Sequence, residues 1–136
     1  MLKFASGFII FKNGKIGLQL RDTKSEIQLS GMVASFGGHM EDGETPIEAF
    51  TREIKEELNL DVEKYKCWLL NEYHYNQQNS NQQATAFHYI LENVDFNDIK
   101  VGEGFLCAID LADDLEFLNL AKITKLQLQD YFKSLS

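Results

Sequence analysis

The sequence predicts an α/β fold in which helices cover the faces of a mixed β-sheet. Three observations lead there. Runs rich in β-branched and aromatic residues recur at 4–11, 15–22, 66–75, 84–92 and 104–111. Two stretches, after Thr45 and near 119–133, carry apolar residues at helical spacing. The order is strands, helix, strands, helix, with no internal repeat and no linker, which suits one domain over 1–136.

The run FASGFIIF (4–11) reads as a buried strand, and Asn13-Gly14 after it is a hairpin turn signal. In 15–22, Ile16, Leu18 and Leu20 alternate with polar neighbours, as in a strand. The polar run 23–31 reads as a loop, and MVASF (32–36) as a short strand entering a glycine loop at Gly37-Gly38. Thr45 and Glu48 have capping-box spacing, with Pro46 at the first helical position. Ile47, Phe50, Ile54 and Leu58 form the expected buried stripe of this helix. Asn59 ends it, because Asn tolerates the left-handed conformation of a helix C-terminus. The strands 66–75 and 84–92 flank NQQNSNQQ (76–83), a polar hairpin loop. The last helix carries Leu120, Ile123, Leu126 and Leu128 among its apolar positions.

The formal charge is −8, so stable binding to a nucleic acid is not expected, and a phosphate substrate must be met by local cations. No apolar run reaches the length of a membrane span, and the first residues lack the pattern of a signal peptide. Cys67 and Cys107 form no metal-binding pattern and read as reduced core thiols. The expected location is therefore the cytoplasm.

The chemistry concentrates in GGHMEDGETPIEAFTREIKEELNL (37–60). Glu53, Glu56 and Glu57 share one helical face, where like charges repel by a few tenths of a kcal/mol per pair. One reading is a solvated acidic face softened by Arg52 and Lys55. The other is a site for a hard divalent cation, since Mg²⁺ prefers oxygen ligands.

The spacing from Gly38 through Glu44 and Arg52-Glu53 to Glu56-Glu57 and Leu60 resembles the Nudix box, G-x5-E-x7-R-E-U-x-E-E-x-G-U, where U is a bulky aliphatic residue. Asn59 stands where the family has Gly, and Phe36 where it usually has Pro. The resemblance implies an α/β/α sandwich and Mg²⁺- or Mn²⁺-dependent hydrolysis of the pyrophosphate linkage of a nucleoside diphosphate joined to another group. By motif position, it implies metal binding by Glu53, Glu56, Glu57 and the carbonyl of Gly37. It implies that Arg52 and Glu44 pair to brace the loop, with Gly38 structural.

The general base is then Glu53 or Glu103. Glu103 lies in VGEGF, where glycines flank a later-loop carboxylate that would also bind metal; its other reading is an exposed loop residue. Arg21 resembles a phosphate-binding residue of MutT-like members, or forms a strand-end ion pair. Asn119 caps the last helix, or reads a purine edge as in MutT-like members. No catalytic role is assigned to His39, His74 or His88, and Trp68 is expected in the core.

The shortness of the chain favours a MutT-like pyrophosphohydrolase of nucleoside triphosphates. The alternatives are an ADP-ribose or nucleotide-sugar pyrophosphatase, and a nucleotide-binding module without hydrolysis. A homodimer, common in the family, is left open.

Overall fold

The structure, a computed structural model, describes residues 2–20, 32–77, 81–102, 105–110 and 119–136. Strands β1 (Leu2–Phe11) and β2 (Ile16–Leu20) form the first hairpin, pairing Ile9 with Gly17 and Ile10 with Ile16. Gly14 takes φ +88° in its turn, a conformation that costs glycine little. The short strands β3 (Val33–Ala34) and β4 (Phe36–His39) follow. Helix α1 (Pro46–Leu58) leads to the long antiparallel pair β5 (Lys66–Asn76) and β6 (Gln83–Val94). Strand β7 (Phe105–Ile109) and helix α2 (Lys122–Ser134) complete the order.

The sheet runs β3-β2-β1-β6-β5, with β4 also paired to β1 and β7 to β2. It is mixed because β1 and β6 are parallel while the other pairs are antiparallel. Alternation along β1 supplies both cores. Ala5, Ile9 and Phe11 face Phe50, Ile54 and Leu58 of α1. Phe8 and Ile10 face Leu128 and Tyr131 of α2. The expected α/β/α sandwich follows, because each helix has one apolar stripe and the sheet has two apolar faces. Each of the large side chains buried there contributes about 1.5–3 kcal/mol.

Five local expectations are corrected. Ile47 is 41% exposed and Leu126 is 45% exposed, so neither belongs to its buried stripe. Ile47 occupies the first helical turn, outside the cover of the sheet. Gly37 and Gly38 lie within β4, hydrogen-bonded alongside Ser6 and Ala5, rather than in a loop. The polar run 76–83 is shorter as a loop than expected, because β5 and β6 extend to pair Asn76 with Gln83. Asn119 does not cap α2, whose cap position is Ala121. The main-chain carbonyl of Asn119 instead accepts the N–H of Val33, beside a parallel bridge from Val33 to Leu120. Neither cysteine is in a disulfide; both are half-buried, and burial raises the Cys67 thiol to about 11. No helix among the described residues is long and apolar enough to cross a membrane.

Candidate active site

The acidic face of α1 is held from both ends. At its start, Thr45 Oγ1 accepts the Glu48 N–H and Glu48 Oε1 accepts the Thr45 N–H, so the capping box is complete. At its end, Asn59 takes φ 57° and donates its N–H to the Lys55 carbonyl. Asn therefore fills the left-handed position that the motif gives to Gly. Leu60 folds back into the core.

Arg52 organises the carboxylates. Its Nε donates to Glu44 Oε2 at 2.8 Å and its Nη2 to Glu44 Oε1 at 3.0 Å, a two-pronged pair that ties the loop to the helix. Its Nη1 donates to Glu53 Oε1 at 2.9 Å and lies 3.6 Å from Glu56 Oε1. Glu41 stands 3.6 Å from Nε. One guanidinium thus serves four carboxylates. The hydrogen bonds from Arg52 and from the Glu41 N–H hold the Glu44 carboxyl down at about 2. The same pairing, led by Glu44, pushes the Arg52 guanidinium up, so it stays charged.

Glu57 is treated differently. It is 4% exposed, and its Oε1 accepts the Gly37 N–H at 2.8 Å. The two glycines are required by what lies against them. A Cβ on Gly37, at φ +134°, would stand 2.1 Å from the Ala5 carbonyl oxygen, and one on Gly38 would stand 2.7 Å from Glu53 Oε1. A side chain on Gly37 would collide with the backbone of β1, and one on Gly38 would push the Glu53 carboxylate from its place.

Glu53, Glu56 and Glu57 share the α1 face but do not converge. Among the described residues, no three acidic, histidine or cysteine side chains form a ready cluster for a metal. The donor set nonetheless suits a hard cation, being all oxygen. The positive Nη1 of Arg52 stands 2.9 Å from Glu53 Oε1 and 3.6 Å from Glu56 Oε1.

A second docking point involves the segment before β7. The Gly102 N–H donates to the Glu57 carbonyl at 2.7 Å, and the Lys100 N–H to the Leu58 carbonyl at 3.0 Å. A Cβ on Gly102 would stand 2.4 Å from the Glu56 carbonyl oxygen. Glu103 is the next residue in the chain; it and Arg21 lie outside the described residues.

Beside the glycine pair opens a cavity of about 560 Å³. Its buried wall includes Ala34, Phe36, Thr124 and Gln127, and its exposed rim includes His39, Asn76 and Lys122. Asn119 is not among the described residues that line it. Ser6, in the wall, bonds through its hydroxyl to His88 Nδ1 at 2.7 Å. His88 is fully buried, and desolvation lowers its pKa to about 3, so it is neutral and structural. His74 bonds to Glu72 and Thr85, and Trp68 Nε1 donates to Glu92; Trp68 sits at the edge of the core rather than inside it.

Sequence reasoning missed Lys122 and Gln127. Gln127 had a signal: it sits at helical spacing between Thr124 and Tyr131, on the stripe α2 buries. Lys122 had none, since an exposed lysine at a helix start is ordinary.

The family model described as NUDIX domain matches residues 1–132. The chain is 37% identical over 70 residues to an 8-oxo-dGTP diphosphatase of Proteus vulgaris, covering 52% of this chain and 59% of that protein. It is 35% identical over 68 residues to an uncharacterized Nudix hydrolase of a Nostoc species, covering 50% of this chain and 40% of that protein. The chain thus matches less than two thirds of the length of each of these curated relatives. In fold it is similar to a MutT protein of Methanosarcina mazei, with a TM-score of 0.78 and 17% identity over 98% of this chain and 93% of the other. It is also similar to the NUDIX domain of Shewanella oneidensis NrtR, solved with ADP ribose, with a TM-score of 0.80 and 14% identity over 100% of this chain and 89% of the other.

Proposed function

The chain belongs to the NUDIX domain family, and from that premise we propose that it hydrolyses the pyrophosphate linkage of a nucleoside triphosphate with the help of Mg²⁺ or Mn²⁺. One observation carries the reading: the acidic face of α1, the glycine pair and the 560 Å³ cavity adjoin, so a nucleoside in the cavity has its phosphates beside the carboxylates. The similarity to an 8-oxo-dGTP diphosphatase supports the choice of a nucleoside triphosphate.

Glu53, Glu56 and Glu57, with the Gly37 carbonyl, are the groups that would hold the ion. When bound, the ion supplies positive charge at the phosphoryl oxygens and acidifies an attacking water. The residues of the chain do the rest. Arg52, fixed by Glu44, holds the Glu53 carboxylate in place. Glu57 keeps β4 against the helix through the Gly37 N–H. The water's proton passes to Glu53 or to Glu103. Glu103 is the second candidate because Gly102 anchors the preceding chain on the Glu57 carbonyl. Lys122, at the cavity rim, and Arg21 meet substrate phosphate, and Asn119 is kept as a candidate for contact with the base.

The test is a panel of nucleoside triphosphates, ADP-ribose, nucleotide sugars and dinucleoside polyphosphates, incubated with Mg²⁺, Mn²⁺ or EDTA and resolved by chromatography. Metal-dependent release of a nucleoside monophosphate and pyrophosphate is the expected result. Cleavage of ADP-ribose or a nucleotide sugar alone would replace the substrate class. Binding without cleavage of any member would leave a nucleotide-binding module.

A further inference from the structure

The buried wall of the cavity holds a polar atom that no other described residue pairs with. Gln127 is 1% exposed, yet its carboxamide oxygen has no hydrogen-bond partner among the described residues. An unpaired amide oxygen taken out of water is costly to the protein, and an apolar side chain of similar size would avoid that cost. The neighbours on the same stripe, Leu128 and Tyr131, pack into the core; Gln127 lines the cavity. The oxygen itself is buried, so the carboxamide must turn toward the cavity that Gln127 lines to meet a donor brought by a ligand.

We propose that Gln127 is a specificity-determining residue, whose carboxamide oxygen accepts a hydrogen bond from the exocyclic amino group of a purine base. The proposal rests on the nucleotide reading given above. A carboxamide presents an acceptor beside a donor. Its complement is an amino group beside a ring nitrogen acceptor, the edge offered by adenine, cytosine and guanine but not by uracil or thymine. Phe4, Phe36 and Tyr75 line the same cavity and give apolar surface for a base. The assignment adds to the Asn119 candidate a base contact on α2, one stripe of the helix that covers the sheet.

The test compares binding by calorimetry of two pairs of monophosphates: guanosine with inosine, and adenosine with purine riboside. In each pair only the first member has the amino group. In at least one pair, the wild-type protein should bind the amino-bearing member about ten- to one-hundred-fold tighter. Gln127→Met should erase that preference, and it should melt no lower than wild type, since it removes an unpaired polar group. Equal binding in both pairs, no binding of any of the four, or a preference that survives in Q127M would overturn the proposal. So would a markedly lower Tm of Q127M, which would show the amide serving the fold. The wild-type comparison needs no variant to fold. Hydrolysis is read separately: amino preference without hydrolysis would sink the enzyme reading alone, and hydrolysis without amino preference would sink this one alone.

Discussion

Single residues in this protein are constrained by partners far away in sequence. Arg52 is the clearest case. It turns four mutually repelling carboxylates into a bonded set, with Glu44 and Glu53 at hydrogen-bond distance. The proton acceptor can be identified at this scale. Glu53→Gln and Glu103→Gln keep shape and remove one basic group each. The variant that removes the base should lose about a hundred-fold or more in kcat, while the other, if it also removes a metal ligand, should show its loss chiefly at low Mg²⁺. Full activity in both would exclude both assignments. His88 makes a second prediction. Its pKa is lowered in the folded protein, so below about pH 6.5 the unfolded chain takes a proton that the native one refuses. Stability from this source is complete above that pH and falls as pH drops toward about 3. Urea denaturation at about pH 7.5 and about pH 5.5 should show a loss of about 1.4 kcal/mol that His88→Gln removes. An unchanged pH slope in H88Q would count against it.

At the scale of elements, helix α1 is defined by its two ends. The left-handed position held by Asn59 strains any residue that has a Cβ, Asn and Asp excepted because their side chains hydrogen-bond locally. Asn59→Ala should cost about 1 kcal/mol in chemical denaturation, and Asn59→Gly should not. The reverse order would mean that the Asn side chain, not the backbone, secures the cap. The segment before β7 depends on close approach in the same way. Gly102→Ala would drive a methyl into the Glu56 carbonyl oxygen, so the segment must shift off α1. A displacement of about 1 Å at a catalytic group can cost a hundred-fold in rate. Activity in G102A should therefore fall by about ten-fold or more while the melting temperature changes little. Unchanged kcat would separate Gly102 from the chemistry.

For the whole molecule, the dominant fact is a formal charge of −8 with acidic side chains crowded on one helix. An ion that binds there stabilises the folded state by mass action. At a hundred times its dissociation constant, Mg²⁺ should add about 2.7 kcal/mol. Thermal melting with Mg²⁺ and with EDTA reads this directly. The rise should vanish in Glu57→Gln, which loses one ligand charge while its amide oxygen can still accept the Gly37 N–H. A rise that persists in E57Q would place the ion elsewhere.

How much of this was legible follows from the range of each interaction. The sequence alone determined the long strands and the body of each helix, because alternation, helical spacing, the capping box at Thr45 and the turn at Asn13-Gly14 are local patterns. It also carried the carboxylates and the Arg52–Glu44 pair, whose members lie within one loop and helix. Tertiary structure alone decided what crosses the chain. It set Gly37 and Gly38 into a strand against β1, tied Ser6 to His88, and laid Gly102 on the end of α1. It also exposed Ile47, which has an apolar side chain but no sheet above it. Burial is a property of what covers a residue, and the cover comes from segments many residues away. For that reason the carboxylate face of α1 could be read from spacing, while the cavity and the buried Gln127 oxygen, unpaired among the described residues, appeared only once α2 was packed on the sheet.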